Sequence, residues 1–79
     1  MKLNDVLETT MGKVTIVVYD FDEHAHITNT STIFKGYSHE AINHLPPLER
    51  SYKVCGLMAD NNELLISCYN SVDTEQLEY

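Results

Sequence analysis

Seventy-nine residues suffice for one domain and no more; 43 % of them are apolar, enough for a core, but ordering such a chain costs on the order of 100 kcal/mol, so oligomerisation is a natural supplement. Twelve acids against five bases give a formal net charge of -7, a surface that repels phosphate and anionic lipid and so argues against direct nucleic-acid or membrane binding. A basic protein surface remains as the partner such a chain can attract, beside the plain reading that acidity only keeps a small domain in solution.

Met1-Lys2-Leu3 leads into Asn4-Asp5 rather than a long apolar run, so no signal peptide is expected. No stretch approaches transmembrane length. Two cysteines are too few for a disulfide scaffold. These features predict a cytoplasmic, reduced protein.

Leu3, Val6, Leu7 and Met11 recur at the spacing of one helical face and predict a short first helix. Gly12 fits its end, where positive φ is often required. Lys13 to Tyr19 predicts a central strand, with Val14, Ile16 and Val18 on one face and Lys13, Thr15, Val17 and Tyr19 on the other. Asp20-Phe21-Asp22-Glu23 breaks the run as a turn. His26 to Gly36 reads either as a polar edge strand, bulged or regular, antiparallel to the first, or as a loop over its first half that leads into a shorter strand.

Ser38 is the expected N-cap of a second short helix that buries Ala41, Ile42 and Leu45. Pro46-Pro47 stops it, and a connection with Leu48 tucked inward follows. Tyr52 to Ala59 and Glu63 to Tyr69 predict a hairpin turning at Asn61-Asn62, because asparagine tolerates φ > 0. That register pairs Leu57 with Ile66 and Cys55 with Cys68. It gives a core face of Cys55, Leu57, Ala59, Leu64, Ile66 and Cys68. In the acidic tail Asp73 with Gln76 could cap one turn of helix, but fraying is the stronger expectation. The expectation is an α+β domain over residues 1–70, in the order α-β-β-α-β-β. Its four-stranded, mostly antiparallel sheet carries short helices packed on one face, and an acidic C-terminal tail covers 71–79.

Few residues suggest chemistry. His24 and His26 would share a strand face and could reach one metal ion, with His39, His44 or a nearby carboxylate completing the set; the alternative is solvent-facing histidines beside a turn, and no metal is assigned. Asp20-x-Asp22-x-His24 lacks the glycine and glutamate of a calcium loop. Cys55 and Cys68 are small apolar core residues or, more sharply, a redox-sensitive cross-strand pair if their Cα atoms come within about 7 Å. Three isolated glycines form no phosphate loop, and no nucleophile sits beside a base, so no catalytic residue and no cofactor is assigned. A non-enzymatic binding module is expected.

Its partner-binding residues are expected to be Asp20, Phe21, Asp22, Glu23, Asp60, Glu63 and Tyr69. This follows if the two acidic turns share one end of the sheet and form a negative rim around Phe21; the alternative is ordinary polar turns with Phe21 folded under the sheet. Tyr37 and Tyr52 are further surface aromatics. Two rival readings are a small-ligand sponge for a nucleotide signal at a homo-oligomer interface, which needs Lys35, Arg50 or Lys53 to converge, and a structural subunit pairing through an open sheet edge.

In layout, the chain resembles small acidic proteins of phages and prophages of Gram-positive bacteria. The features that carry this are the Leu3-Val6-Leu7 helix, the strand Val14-x-Ile16-x-Val18-Tyr19-Asp20, the step Phe34-Lys35-Gly36 and the closing hairpin at Asn61-Asn62-Glu63-Leu64-x-Ile66. Some proteins of that kind look like inhibitors of host defence nucleases, including anti-CRISPR proteins. The resemblance implies a host protein as partner and carries no functional residue over.

Overall fold

A computed structural model of the protein describes residues 1–24 and 26–72. The element order is α1 (Leu3–Thr9), β1 (Lys13–Phe21), β2 (Ile27–Tyr37), α2 (Ser38–His44), the single turn α3 (Pro47–Arg50), β3 (Tyr52–Asp60) and β4 (Glu63–Val72). The chain is α+β, with one four-stranded mixed sheet in the order β2-β1-β4-β3. β1 pairs antiparallel with β2 and parallel with β4, and β3 pairs antiparallel with β4. Short helices cover one face, as the pattern predicts. The tail at Asp73 and Gln76, weighed between a capped turn and fraying, lies outside the described residues.

Strand placement follows from apolar content. β1 and β4 carry unbroken apolar rows towards the helices: Val14, Ile16 and Val18 stand beside Leu64, Ile66 and Cys68. All but the half-buried Leu64 are buried. The central positions are the driest in a one-sided sheet, so the two greasiest rows take them, each large side chain contributing about 1.5–3 kcal/mol on burial. β2, rich in threonine and serine, and β3, with Gly56 and Ala59, are left as edges. Leu3, Val6 and Leu7 of α1 and Ala41 and Leu45 beside them complete the core.

Several local expectations change. Met11 lies 97 % exposed because α1 stops at Thr9. The Thr9 and Thr10 hydroxyls donate to Val6 O at 3.1 and 2.7 Å, competing with the helix's own amides. Gly12 then turns the chain at φ 117°, a value that disfavours any side chain. Ser38 does not cap its own helix, since Tyr37 holds the N-cap position. Instead its hydroxyl donates to Thr10 O at 2.6 Å and its amide to Gly12 O at 2.9 Å, stitching α2 to the loop before β1. Leu48 is exposed rather than tucked in, because α3 presents it outwards.

Asn61 and Asn62 adopt φ of 47° and 64° and make the two-residue turn that the sequence predicts, with Leu57 opposite Ile66. The expected core face of the hairpin is nevertheless only half covered. Leu64, Ile66 and Cys68 are shielded, whereas Cys55, Leu57 and Ala59 are exposed, because the buried helix residues cluster with the β1 and β4 rows and not with this end of β3. A bulge between Val54 and Gly56 sets Val54, not Cys55, opposite Cys68. β4 also runs on through Asn70, Ser71 and Val72, so the domain extends past residue 70.

Two measurements check this packing. In urea unfolding, Ile66→Ala should cost about 3–5 kcal/mol by opening a cavity at the centre of the sheet, while Leu57→Ala costs under about 1 kcal/mol. Ser38→Ala should cost about 1–2 kcal/mol through the unpaired carbonyl of Thr10.

Candidate functional site

The parallel pairing of β1 and β4 decides which surface residues meet. Lys13 stands beside Glu63 and Tyr19 beside Tyr69. The Asp60–Glu63 turn therefore sits where β1 begins, and Asp20–Glu23 lies where β1 ends, about 20 Å away. The single negative rim expected from the sequence does not form. Asp60 and Glu63 belong to one end of the sheet, with Lys13; Asp20, Phe21, Asp22, Glu23 and Tyr69 belong to the other. The expectation of a shared end assumed adjacent antiparallel hairpins, and the parallel centre reverses one of them.

What remains together is compact. Phe21 and Tyr69 project from the helix-free side of the sheet and meet edge to face, with centroids 4.9 Å apart and planes at 62°. Such a pair holds both rings in place while leaving an apolar surface open. Asp20, Phe21, Tyr69, Asn70 and Ser71 line a hollow of about 470 Å³ at the ends of β1 and β4. Asp20 is fixed there. Its carboxylate accepts from Asn70 Nδ2 at 2.6 Å and from Asn29 Nδ2 at 3.4 Å.

The next acid shapes the turn. Asp22 Oδ1 accepts from the backbone amides of His24 and His26, both at 2.9 Å, and the Asp22 amide donates to His26 O at 3.0 Å. The Glu23 carboxylate lies 3.7 Å from His24 Nε2 on the exposed surface. Behind the hollow, burial raises the Tyr52 hydroxyl above its ordinary pKa, and the negative charges of Glu49 and then Asp20 add to the shift. Asn29, Asn70, Tyr52 and Glu49 thus join this end although sequence reasoning passed over them. Only the pairing of β4 with β1, and of Tyr52 with Val72, reveals them.

The other candidates separate. His24 and His26 lie in the turn before β2, with ring centroids 6.3 Å apart. No group of three or more His, Cys, Asp or Glu side chains among the described residues is placed to hold one ion. Cys55 occupies the bulge, exposed, with Sγ donating to Ser67 O at 3.3 Å; Cys68 is buried in the core, and both are free thiols. Burial pushes the Cys68 thiol up to about 12, and Cys55 nearby adds to this. Lys35 and Lys53 lie on β2 and β3, opposite edges of the sheet about 14 Å apart across three strand spacings. Arg50 is held at α3, donating to Leu45 O at 3.2 Å and Asn4 Oδ1 at 3.4 Å. Within one copy these candidate bases for a nucleotide sponge lie apart.

No protein-family model, curated protein or solved structure matches the chain. Among the described residues, no helix is long and apolar enough to cross a membrane.

The cysteine environments have a direct readout. Near pH 8 a soluble maleimide should modify Cys55 in the folded protein, with Cys68 reacting only after denaturation. Because folding raises the Cys68 pKa, its neutral-thiol contribution to stability is complete below the ordinary value of 9.0 and is lost as pH climbs towards about 12. Urea midpoints should therefore fall with pH in that window, and less steeply in Cys68→Ala.

Proposed function

We propose that this chain is a non-enzymatic protein-binding module that occupies a basic surface with the end of the sheet where β1 and β4 finish. The observation that carries this reading is the Phe21–Tyr69 ring pair, 37 % exposed at Phe21 and set among the carboxylates of Asp20, Asp22 and Glu23. Rings locked against each other lose little entropy on binding and offer an apolar anchor. The carboxylates add direction and attract a basic partner from a distance, helped by the net charge of -7. Arginine is the side chain that such a surface suits best: its guanidinium can lie over a ring and pair with a carboxylate at once.

Mechanistically this is occlusion. The tip fills a basic groove and denies it to the groove's own ligand. A nucleic-acid-binding protein of the host, such as a defence nuclease, presents a groove of that kind, and the phage-like layout of the chain points the same way. Asp60 and Glu63 take no part, because they lie at the far end.

An arginine-rich peptide serves as a probe. It should shift the amide resonances of Phe21, Glu23, Tyr69 and Asn70 while those around Asn61 stay put. Affinity should drop about tenfold in Phe21→Ala and fall with added salt. Shifts centred on Asp60 and Glu63, or affinity indifferent to salt, would refute this placement of the site.

A further inference from the structure

The acidic tip carries two imidazoles that the basic-surface reading leaves unused. His24 Nε2 lies 3.7 Å from Glu23 Oε1, and His26 Nδ1 lies 3.8 Å from Asp22 Oδ2. The backbone fixes both histidines to this place, because Asp22 Oδ1 accepts from the amides of His24 and His26 at 2.9 Å each. The two rings stand 6.3 Å apart, and both side chains are exposed. The third carboxylate has a different setting. Asp20 is held by the side-chain amides of Asn70 and Asn29, groups that do not titrate. Of the three acids set around Phe21, two therefore have a titratable base beside them and one does not.

Histidine is the side chain that ordinarily changes charge between about pH 5 and 8, and among the described residues no other imidazole shares this end. His39 stacks on Tyr37, which pairs with Lys13 where β1 begins, and His44 lies against Phe34, opposite Ile16 in the middle of the sheet. β2 starts directly after His26 and carries no titratable side chain before Lys35, while β4 finishes in Tyr69, Asn70, Ser71 and Val72. Behind the hollow stand Tyr52, Glu49 and, next along β3, Lys53. These are phenol, carboxylate and ammonium groups, whose ordinary titration lies outside the histidine range.

We infer that His24 and His26 make the tip a pH-dependent contact that holds a basic partner at neutral pH and releases it on acidification. This rests on the basic-surface reading and adds the regulation of that same site. With both imidazoles neutral, Asp20, Asp22 and Glu23 present three negative charges; with both protonated, the same five side chains sum to one. Each proton taken up places a cation 3.7–3.8 Å from a carboxylate oxygen that the partner's arginine would otherwise pair with. The imidazolium cancels the field of that carboxylate at a distance and competes for its oxygens on contact. Exposed pairs of this kind contribute little to folding, so the change falls on binding rather than on stability. Phe21 and Tyr69 keep their ring contact in either state, and Asp20 keeps its two amide donors. The acidified tip thus retains its shape and loses its attraction.

The probe is an arginine-rich peptide, acetylated and amidated at its ends, whose own charge is constant between about pH 5 and 8. It is titrated at about pH 7.5 and about pH 5.5 with ionic strength held fixed. The wild type should bind about tenfold more weakly at the lower pH, with Phe21, Glu23, Tyr69 and Asn70 shifted at both. The double variant His24→Gln with His26→Gln should bind equally tightly at the two pH values, and each single variant should keep about half of the effect on a logarithmic scale. Both positions are exposed, so far-UV spectra should match that of the wild type. His39→Gln with His44→Gln should retain the full pH dependence. Tip binding that is equally tight at both pH values overturns this inference and leaves the basic-surface reading standing. So does a pH dependence that survives in the His24 and His26 double variant, or one that disappears with His39 and His44. A peptide that fails to shift the tip at the higher pH overturns the basic-surface reading itself, and this inference with it.

Discussion

The whole structure depends on two strands that are distant in sequence lying side by side and parallel. Ile16 beside Ile66, with Val14 and Val18 beside Leu64 and Cys68, forms the dry strip on which α1 sits. Parallel neighbours cannot be joined by a tight turn, so the chain must travel through β2, α2, α3 and β3 before returning. That detour is held by few contacts. Among them is the buried Ser38 hydroxyl, which ties the start of α2 to the loop before β1. Removing the central strip would leave two hairpins and three short helices, none of which can hold itself together in water.

From that strip the surface follows. Strands β1 and β4 end together, so Phe21 and Tyr69 are brought into ring contact and Asp20 is clasped between Asn29 and Asn70. The opposite end brings Lys13 next to Glu63, and Lys13 lies 5.9 Å from the centroid of the Tyr37 ring, so a base accompanies the acids there. The molecule is consequently polarised: acids with aromatics at one end, mixed charge at the other. A chain of the same composition with an all-antiparallel sheet would have both acidic turns on one rim and a different electrostatic profile.

The edges complete the division of labour. β2 is polar enough to face water, and β3 is apolar over the part that Met1 and Lys2 leave uncovered. A small domain has little stability of its own.

Local patterns were legible without coordinates. The alternation in Val14–Val18 named the buried face, Asn61-Asn62 named the turn, and Pro46 named the end of α2; the threonine-rich run suggested an edge but left strand and loop both open over its first half. Each rests on interactions within a few residues: side-chain period, allowed φ, a missing amide. What tertiary structure alone decided was which strand lies beside which, and hence that Asp60 and Glu63 part from Asp20 and Phe21, that Cys55 turns outward at a bulge, and that Leu57 lies uncovered. Those outcomes depend on competition among apolar rows for the centre of the sheet and on where short helices can reach. Neither is a property of any single segment.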